Sequence, residues 1–132
     1  MASHSIDGNW RGHYTYAKNP DGGSGFDANF VTNGEDVSGD IMDDFWPGAA
    51  VLSGTFSFPS LKYTKSYIGQ KLASVEYQGT MNDDGKTISG AWSLVEGEKV
   101  VRGAWTAYRT DQESKLAKAK LGKVVEKVDE VY

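Results

Sequence analysis

The chain has 132 residues, no cysteine and a formal net charge of −4 at neutral pH. This length fits one domain with a real core, and the lack of thiols excludes a disulfide framework, a thiolate metal site and a cysteine nucleophile. The acidic balance disfavours a nucleic-acid partner, because such a surface repels phosphate backbones.

Residues 1–7 carry no signal-peptide pattern, and we expect a flexible N-terminus on a cytoplasmic protein. Beyond them, an apolar residue, a glycine and a second apolar residue recur six times at alternate positions. The units are Trp10-Gly12-Tyr14, Val37-Gly39-Ile41, Leu52-Gly54-Phe56, Tyr77-Gly79-Met81, Ile88-Gly90-Trp92 and Val101-Gly103-Trp105. Alternate positions share one face of a strand, and glycine there lets the strand bend. The pattern therefore predicts coiled strands of the kind that close into a barrel.

Eight strands are predicted, separated by short turn-forming segments. They cover 9–16, 26–32, 36–42, 50–58, 61–67, 73–81, 87–94 and 100–109. Because the connections are too short for crossover helices, consecutive strands should pair antiparallel. The expected fold class is all-β: an eight-stranded antiparallel up-and-down barrel over residues 8–110.

After Arg109 the apolar spacing changes to that of a helix. Thr110 and Glu113 match a capping box, and the apolar residues that follow predict a C-terminal α-helix over 111–132. Its apolar stripe requires a partner, either the barrel's outer wall near Ala104 and Tyr108 or a second copy of the chain in a homodimer. No stretch is long and apolar enough to span a membrane.

The triplet Gly8-Asn9-Trp10 on the first strand and Arg109 on the last resemble the signature of the calycin superfamily, which includes lipocalins, fatty-acid-binding proteins and avidins. In lipocalins such a tryptophan plugs one end of the barrel and a basic residue lies across it. Leu52-Ser53-Gly54-Thr55-Phe56 and Ile88-Ser89-Gly90-Ala91-Trp92 are similar to avidin strands. The resemblance implies a barrel that holds a small, largely apolar molecule. Gly12 stands where avidins carry a polar biotin contact.

Lys65 is the most unusual residue of the predicted strands, because alternation turns it inward between Tyr63 and Tyr67. A buried ammonium needs a partner. The functional interpretation is a ligand carboxylate or other acidic group, with tyrosine hydroxyls beside it. The alternative is that Lys65 extends to the rim and packs its stem on Tyr63.

Inward aromatic residues on neighbouring strands supply further candidates. Trp92 and Trp105 would stack on a ligand or simply fill the barrel, and Tyr77 would offer a hydroxyl. Phe45 and Trp46, in the loop between the third and fourth strands, form either a lid or partner contact or a loop tip folded over the barrel end.

No catalytic group, metal site or cofactor is predicted. Asp36, Asp40, Asp43 and Asp44 match no calcium loop and are expected to form a solvated acidic edge. Asp27 and Glu76 should point outward, so no acid and base converge.

The function expected from the sequence is binding of a small hydrophobic or amphipathic ligand, including an anionic one, inside the barrel. The ligand-binding set comprises Lys65, Tyr63, Tyr67, Tyr77, Trp92, Trp105 and Arg109. The first alternative is a protein-interaction scaffold with a filled barrel, using the Trp46 loop and the C-terminal helix. A lipid isomerase or cyclase is a further alternative.

Overall fold

The computed structural model describes residues 4–45, 48–69 and 71–110, and these residues form eight strands. The strands are β1 (Gly8–Tyr16), β2 (Asn19–Asn33), β3 (Asp36–Asp43), β4 (Ala49–Ser57), β5 (Ser60–Tyr67), β6 (Val75–Met81), β7 (Thr87–Glu96) and β8 (Lys99–Arg109). Each pairs antiparallel with the next, and β1 pairs with β8 to close the barrel. The predicted eight-stranded up-and-down barrel is confirmed.

The described part of the chain is entirely strand, turn and loop, so it holds no helix of the length and apolarity needed to cross a membrane. The predicted helix over 111–132 lies outside the described residues. Tyr108, on the wall where that helix was expected to pack, is exposed.

The first hairpin differs from the prediction, because β2 begins at Asn19 rather than at Phe26. The turn-like segment after Asn19 continues the ladder, with Tyr16 opposite Asn19 and a break in register before Tyr14 meets Ser24. Gly23 lies at this irregularity with φ of 116°, and a Cβ there would lie 1.9 Å from the carbonyl oxygen of Tyr14. Glycine therefore permits a bulge that lengthens the hairpin.

The barrel axis is filled by side chains from every strand. The buried apolar residues are Ile6, Trp10, Phe26, Ala28, Phe30, Val37, Ile41, Ala50, Leu52, Phe56, Leu61, Tyr63, Val75, Tyr77, Met81, Ile88, Trp92, Trp105 and Ala107. The inward residues of the glycine-containing units supply much of this core, as alternation predicts.

One end of the barrel, here called the plugged end, is closed by Trp10 and by chain that precedes β1. Trp10 is fully buried and its Nε1 donates to the carbonyl of Ile6, 2.9 Å away. Residues 1–7 were predicted to form a flexible N-terminus, but Ile6 of that segment lies in the core. Asp7 also accepts a hydrogen bond from the backbone N–H of Thr32.

Candidate functional site

The opposite end of the barrel carries a buried ion pair between β5 and the end of β3. Lys65 is 0% exposed, and its Nζ lies 2.6 Å from Oδ1 of Asp43, itself only 4% exposed. The hydroxyl of Tyr67 donates to Oδ2 of the same carboxylate at 2.6 Å. Lys65 therefore points inward, as alternation predicted, but its partner belongs to the protein.

This geometry rules out one of the two alternatives for Lys65 and corrects the expectation for Asp43. Lys65 does not extend to the rim, because an internal carboxylate compensates its charge. Asp43 does not belong to a solvated acidic edge, because β3 continues through it and keeps its alternation. Val37, Ile41 and Asp43 share the inward face, so the same alternation that turned Lys65 inward is the signal that identifies its partner.

Aromatic rings surround the Lys65 ammonium on the sides that Asp43 leaves open. The ring centroids of Tyr14, Phe26, Tyr67 and Tyr77 lie between 4.7 and 5.9 Å from Nζ. Burial lowers the pKa of Lys65, and the Asp43 carboxylate opposes that shift. The rings and the carboxylate thus replace the water that the ammonium has lost.

A cavity of about 80 Å³ opens beside this cluster, and we call it the mouth cavity. Its lining residues are Tyr14, Tyr16, Tyr67, Val75, Tyr77, Trp92 and Leu94. The space exceeds what one water molecule needs and is below the roughly 150 Å³ of an engineered cavity that holds benzene. It therefore accommodates the end of a ligand rather than a whole lipid-like molecule.

The phenols of Tyr14, Tyr67 and Tyr77 in the mouth cavity are held in their protonated form. Burial is the main cause that raises the pKa of Tyr14 to about 12 and raises the pKa values of Tyr67 and Tyr77 further. A phenol that stays protonated at neutral pH offers an O–H donor and an oxygen acceptor. The cavity thus combines aromatic walls with hydroxyl groups that form hydrogen bonds without acting as bases.

Of the aromatic residues predicted to bind a ligand, Tyr67, Tyr77 and Trp92 line the mouth cavity, whereas Tyr63 and Trp105 lie in the core. Tyr63 stacks on Tyr77 with centroids 4.7 Å apart, and its hydroxyl has no hydrogen-bond partner within the described residues. Trp105 packs against both rings and donates from Nε1 to the carbonyl of Gln78. These two residues support the cavity from below.

Arg109 lies at the plugged end, away from the Lys65 cluster. Its guanidinium is 4.5 Å from the ring centroid of Trp10, the arrangement that the calycin resemblance implies. It also donates to the backbone carbonyls of Ser5, Asp7 and Gly85. These contacts tie the N-terminal segment and the β6–β7 turn across Trp10, so the structure does not bring Arg109 together with the other predicted ligand-binding residues.

The loops around the mouth cavity expose apolar side chains. Phe45, in the β3–β4 loop, is 73% exposed, and its neighbour Trp46 lies outside the described residues. The other exposed apolar side chains at this end are Ile68 and Leu72 in the β5–β6 connection, Val95 near the end of β7 and Val100 near the start of β8. We call these five described residues the apolar rim.

A second ion-pair cluster lies on the outer wall and was not predicted. Arg11 contacts both carboxylate oxygens of Asp44 at 2.8 and 2.6 Å and reaches Asp27 at 3.2 Å. Asp27 occupies an outward position, as expected, but is buried rather than solvated because Arg11 covers it. The cluster fixes the start of the β3–β4 loop against β1.

No protein-family model matches the chain. No curated protein matches it either. The site therefore has to be interpreted from its own geometry.

Proposed function

We propose that this protein binds a small apolar or amphipathic molecule at the tyrosine-lined end of its barrel. The single observation that carries the proposal is a mouth cavity lined by tyrosines and Trp92 and bordered by the exposed side chains of the apolar rim. The eight-stranded closed barrel fits a calycin-like fold, and such barrels commonly hold ligands of this kind. The proposed site differs from the sequence-based one in lying at the mouth instead of along the axis.

The size of the cavity defines how a ligand would fit. One end of the molecule would enter beside Tyr14, Tyr77 and Trp92, and the remainder would lie on the apolar rim. Burial of the rim side chains would supply the hydrophobic contribution, at about 25 cal/mol for each Å² of apolar surface removed from water. The hydroxyls would orient the inserted end.

Lys65 has a positioning role in this proposal. Its charge is already compensated by Asp43, so a ligand carboxylate would compete with an internal one at a site that is fully buried. The Lys65–Asp43 pair instead holds Tyr67 through the hydrogen bond to Asp43. The shape of the mouth therefore depends on the pair without requiring a ligand contact from it.

The packed core also supports the alternative of an interaction scaffold. Trp105, Tyr63 and Phe26 fill space that a large internal ligand would need. In that alternative the exposed Phe45 would contact another protein, and the mouth cavity would hold only water.

Binding of the neutral dye N-phenyl-1-naphthylamine separates the two functions. We expect the fluorescence enhancement to saturate at one dye per barrel. Leu94→Trp should lower the affinity for the dye by about tenfold or more, because the larger side chain would fill the cavity. Val31→Trp is the matched control, since Val31 is exposed on the outer wall of β2. Circular dichroism would verify that both variants fold. Failure of the wild-type protein to bind the dye, or equal binding by Leu94→Trp, would contradict the proposal and favour the scaffold.

A further inference from the structure

A groove of about 580 Å³ adjoins the mouth cavity and contains a cluster of positive charge. It runs between the β1–β2 turn and the start of β8, and Tyr16 lines both the groove and the cavity. The remaining lining residues are Ala17, Lys18, Lys99, Val100, Val101 and Arg102. We call this feature the basic groove.

The three cations of the basic groove have no ion-pair partner within the described part of the chain. The described residues that line the groove include no carboxylate, and the nearest acidic residue along the β7–β8 ladder is Glu96, opposite Lys99. The groove is thus lined by three cationic side chains on a chain whose net charge is −4. Like charges brought together cost free energy, and a bound anion would remove that cost.

The groove also has an apolar side that leads toward the mouth. Val100 and Val101 line it beside the Tyr16 ring, and that ring makes an edge contact with Trp92, with centroids 5.3 Å apart. A molecule lying across Tyr16 would therefore meet cations at one end and the aromatic cavity at the other. A cationic surface next to an aromatic cavity is complementary to an amphipathic anion.

We infer that the basic groove recognises the anionic group of an amphipathic ligand, such as a carboxylate or sulfonate, while the ligand's apolar end enters the mouth cavity. The inference rests on the proposed function, and it assigns the anion to Lys18, Lys99 and Arg102 in place of Lys65. These exposed side chains reach an anion without displacing the internal Asp43 carboxylate. The ligand class is a free organic anion with a small apolar or aromatic body.

Two dyes of nearly the same shape test this inference. 1-Anilinonaphthalene-8-sulfonate carries a sulfonate that N-phenyl-1-naphthylamine lacks. We expect the wild-type protein to bind the sulfonate dye more tightly than the neutral dye. The triple variant Lys18→Gln/Lys99→Gln/Arg102→Gln should lower the affinity for the sulfonate dye by about tenfold or more and change the affinity for the neutral dye by less than about twofold. Raising the salt concentration from about 20 to about 500 mM should weaken only the sulfonate dye.

The charge-matched control is Lys62→Gln/Lys71→Gln/Lys86→Gln, and the single variants Lys62→Gln and Lys86→Gln accompany it, because these side chains are exposed and none lines the groove. Each should leave both affinities unchanged. If the neutral dye binds and the sulfonate dye binds no better, or if the triple variant has no effect, the anionic assignment is overturned and the proposed function stands. If neither dye binds, the proposed function itself fails. Equal losses in the control variants would reduce the effect to overall charge and overturn the assignment to the groove.

Discussion

At the scale of single residues, the Lys65–Asp43 pair is the most deeply buried ion pair among the described residues. Both side chains are buried at 1% exposure, with Nζ and Oδ1 2.6 Å apart. Desolvation of two charges offsets much of their attraction, so the pair by itself adds little to stability. Removal of one partner by substitution destabilises the fold strongly, because it leaves the other charge buried without compensation.

We therefore predict that Lys65→Met and Asp43→Asn each lower the free energy of unfolding by about 3 kcal/mol or more, whereas the double variant loses less than the sum by about 2 kcal/mol. Urea denaturation followed by tryptophan fluorescence measures all four corners of this cycle. Lys62→Met serves as the control, because Lys62 is exposed on the same strand and should change stability by less than about 0.5 kcal/mol. Additive losses would show that the two charges are not coupled.

At the scale of strands, β8 approaches β1 through a glycine. A Cβ at Gly103 would lie 1.8 Å from the carbonyl oxygen of Thr15 and 2.7 Å from Nε1 of Trp92. Those two atoms form a hydrogen bond 3.0 Å long. The glycine thus leaves room for Trp92, a wall of the mouth cavity, to bond to the backbone of the neighbouring strand.

Gly103→Ala should consequently separate the strands and break the Trp92 hydrogen bond. We predict a loss of about 1–3 kcal/mol in the free energy of unfolding, the usual cost of overpacking, together with weaker binding of N-phenyl-1-naphthylamine. Ala104→Val, at the next position and exposed, should leave stability within about 0.5 kcal/mol. A fully stable Gly103→Ala variant with wild-type dye affinity would contradict this account of the glycine.

The strands also show what the alternation of inward and outward side chains can predict. It placed Lys65 and Trp92 on the inward face and outlined all eight strands, because a side chain's face depends only on its position along one strand. Alternation also placed Asp27 on the outward face, but it did not predict that Asp27 is buried. Arg11 covers it, and that contact depends on pairing between two strands.

At the scale of the whole molecule, buried phenols make the fold sensitive to alkali. Burial raises the pKa values of Tyr63, Tyr67 and Tyr77 well above the ordinary value of 10.0. Above about pH 10 the unfolded chain loses these protons and the folded chain keeps them, so the folded state binds more protons. Stability must therefore fall as pH rises, by about 1.4 kcal/mol per pH unit for each such tyrosine.

Lys65 changes the pH dependence of stability in the opposite direction and over a lower pH interval. Its pKa is lowered from 10.5 in the fold, so just below that pH the unfolded chain binds the extra proton and stability rises with pH. Above that pH only the buried tyrosines still change the stability.

We predict that the urea midpoint declines steeply above about pH 10.5. The phenolate absorbance of the buried tyrosines at 295 nm should appear together with unfolding. Reversible ionisation of these tyrosines in the folded protein at pH 10 would contradict the prediction.

The amino-acid sequence by itself determined the barrel. Alternating apolar residues, inward glycines and short turns are local properties, and together they admit one closed antiparallel arrangement. Only the tertiary structure decided where a ligand would fit. Three features join residues from different strands or turns. They are the pairing of Lys65 with Asp43, the filling of the axis by Tyr63 and Trp105, and the groove that Lys18 and Arg102 both line. Their distances depend on strand register and on how the barrel closes, which no single stretch of sequence specifies.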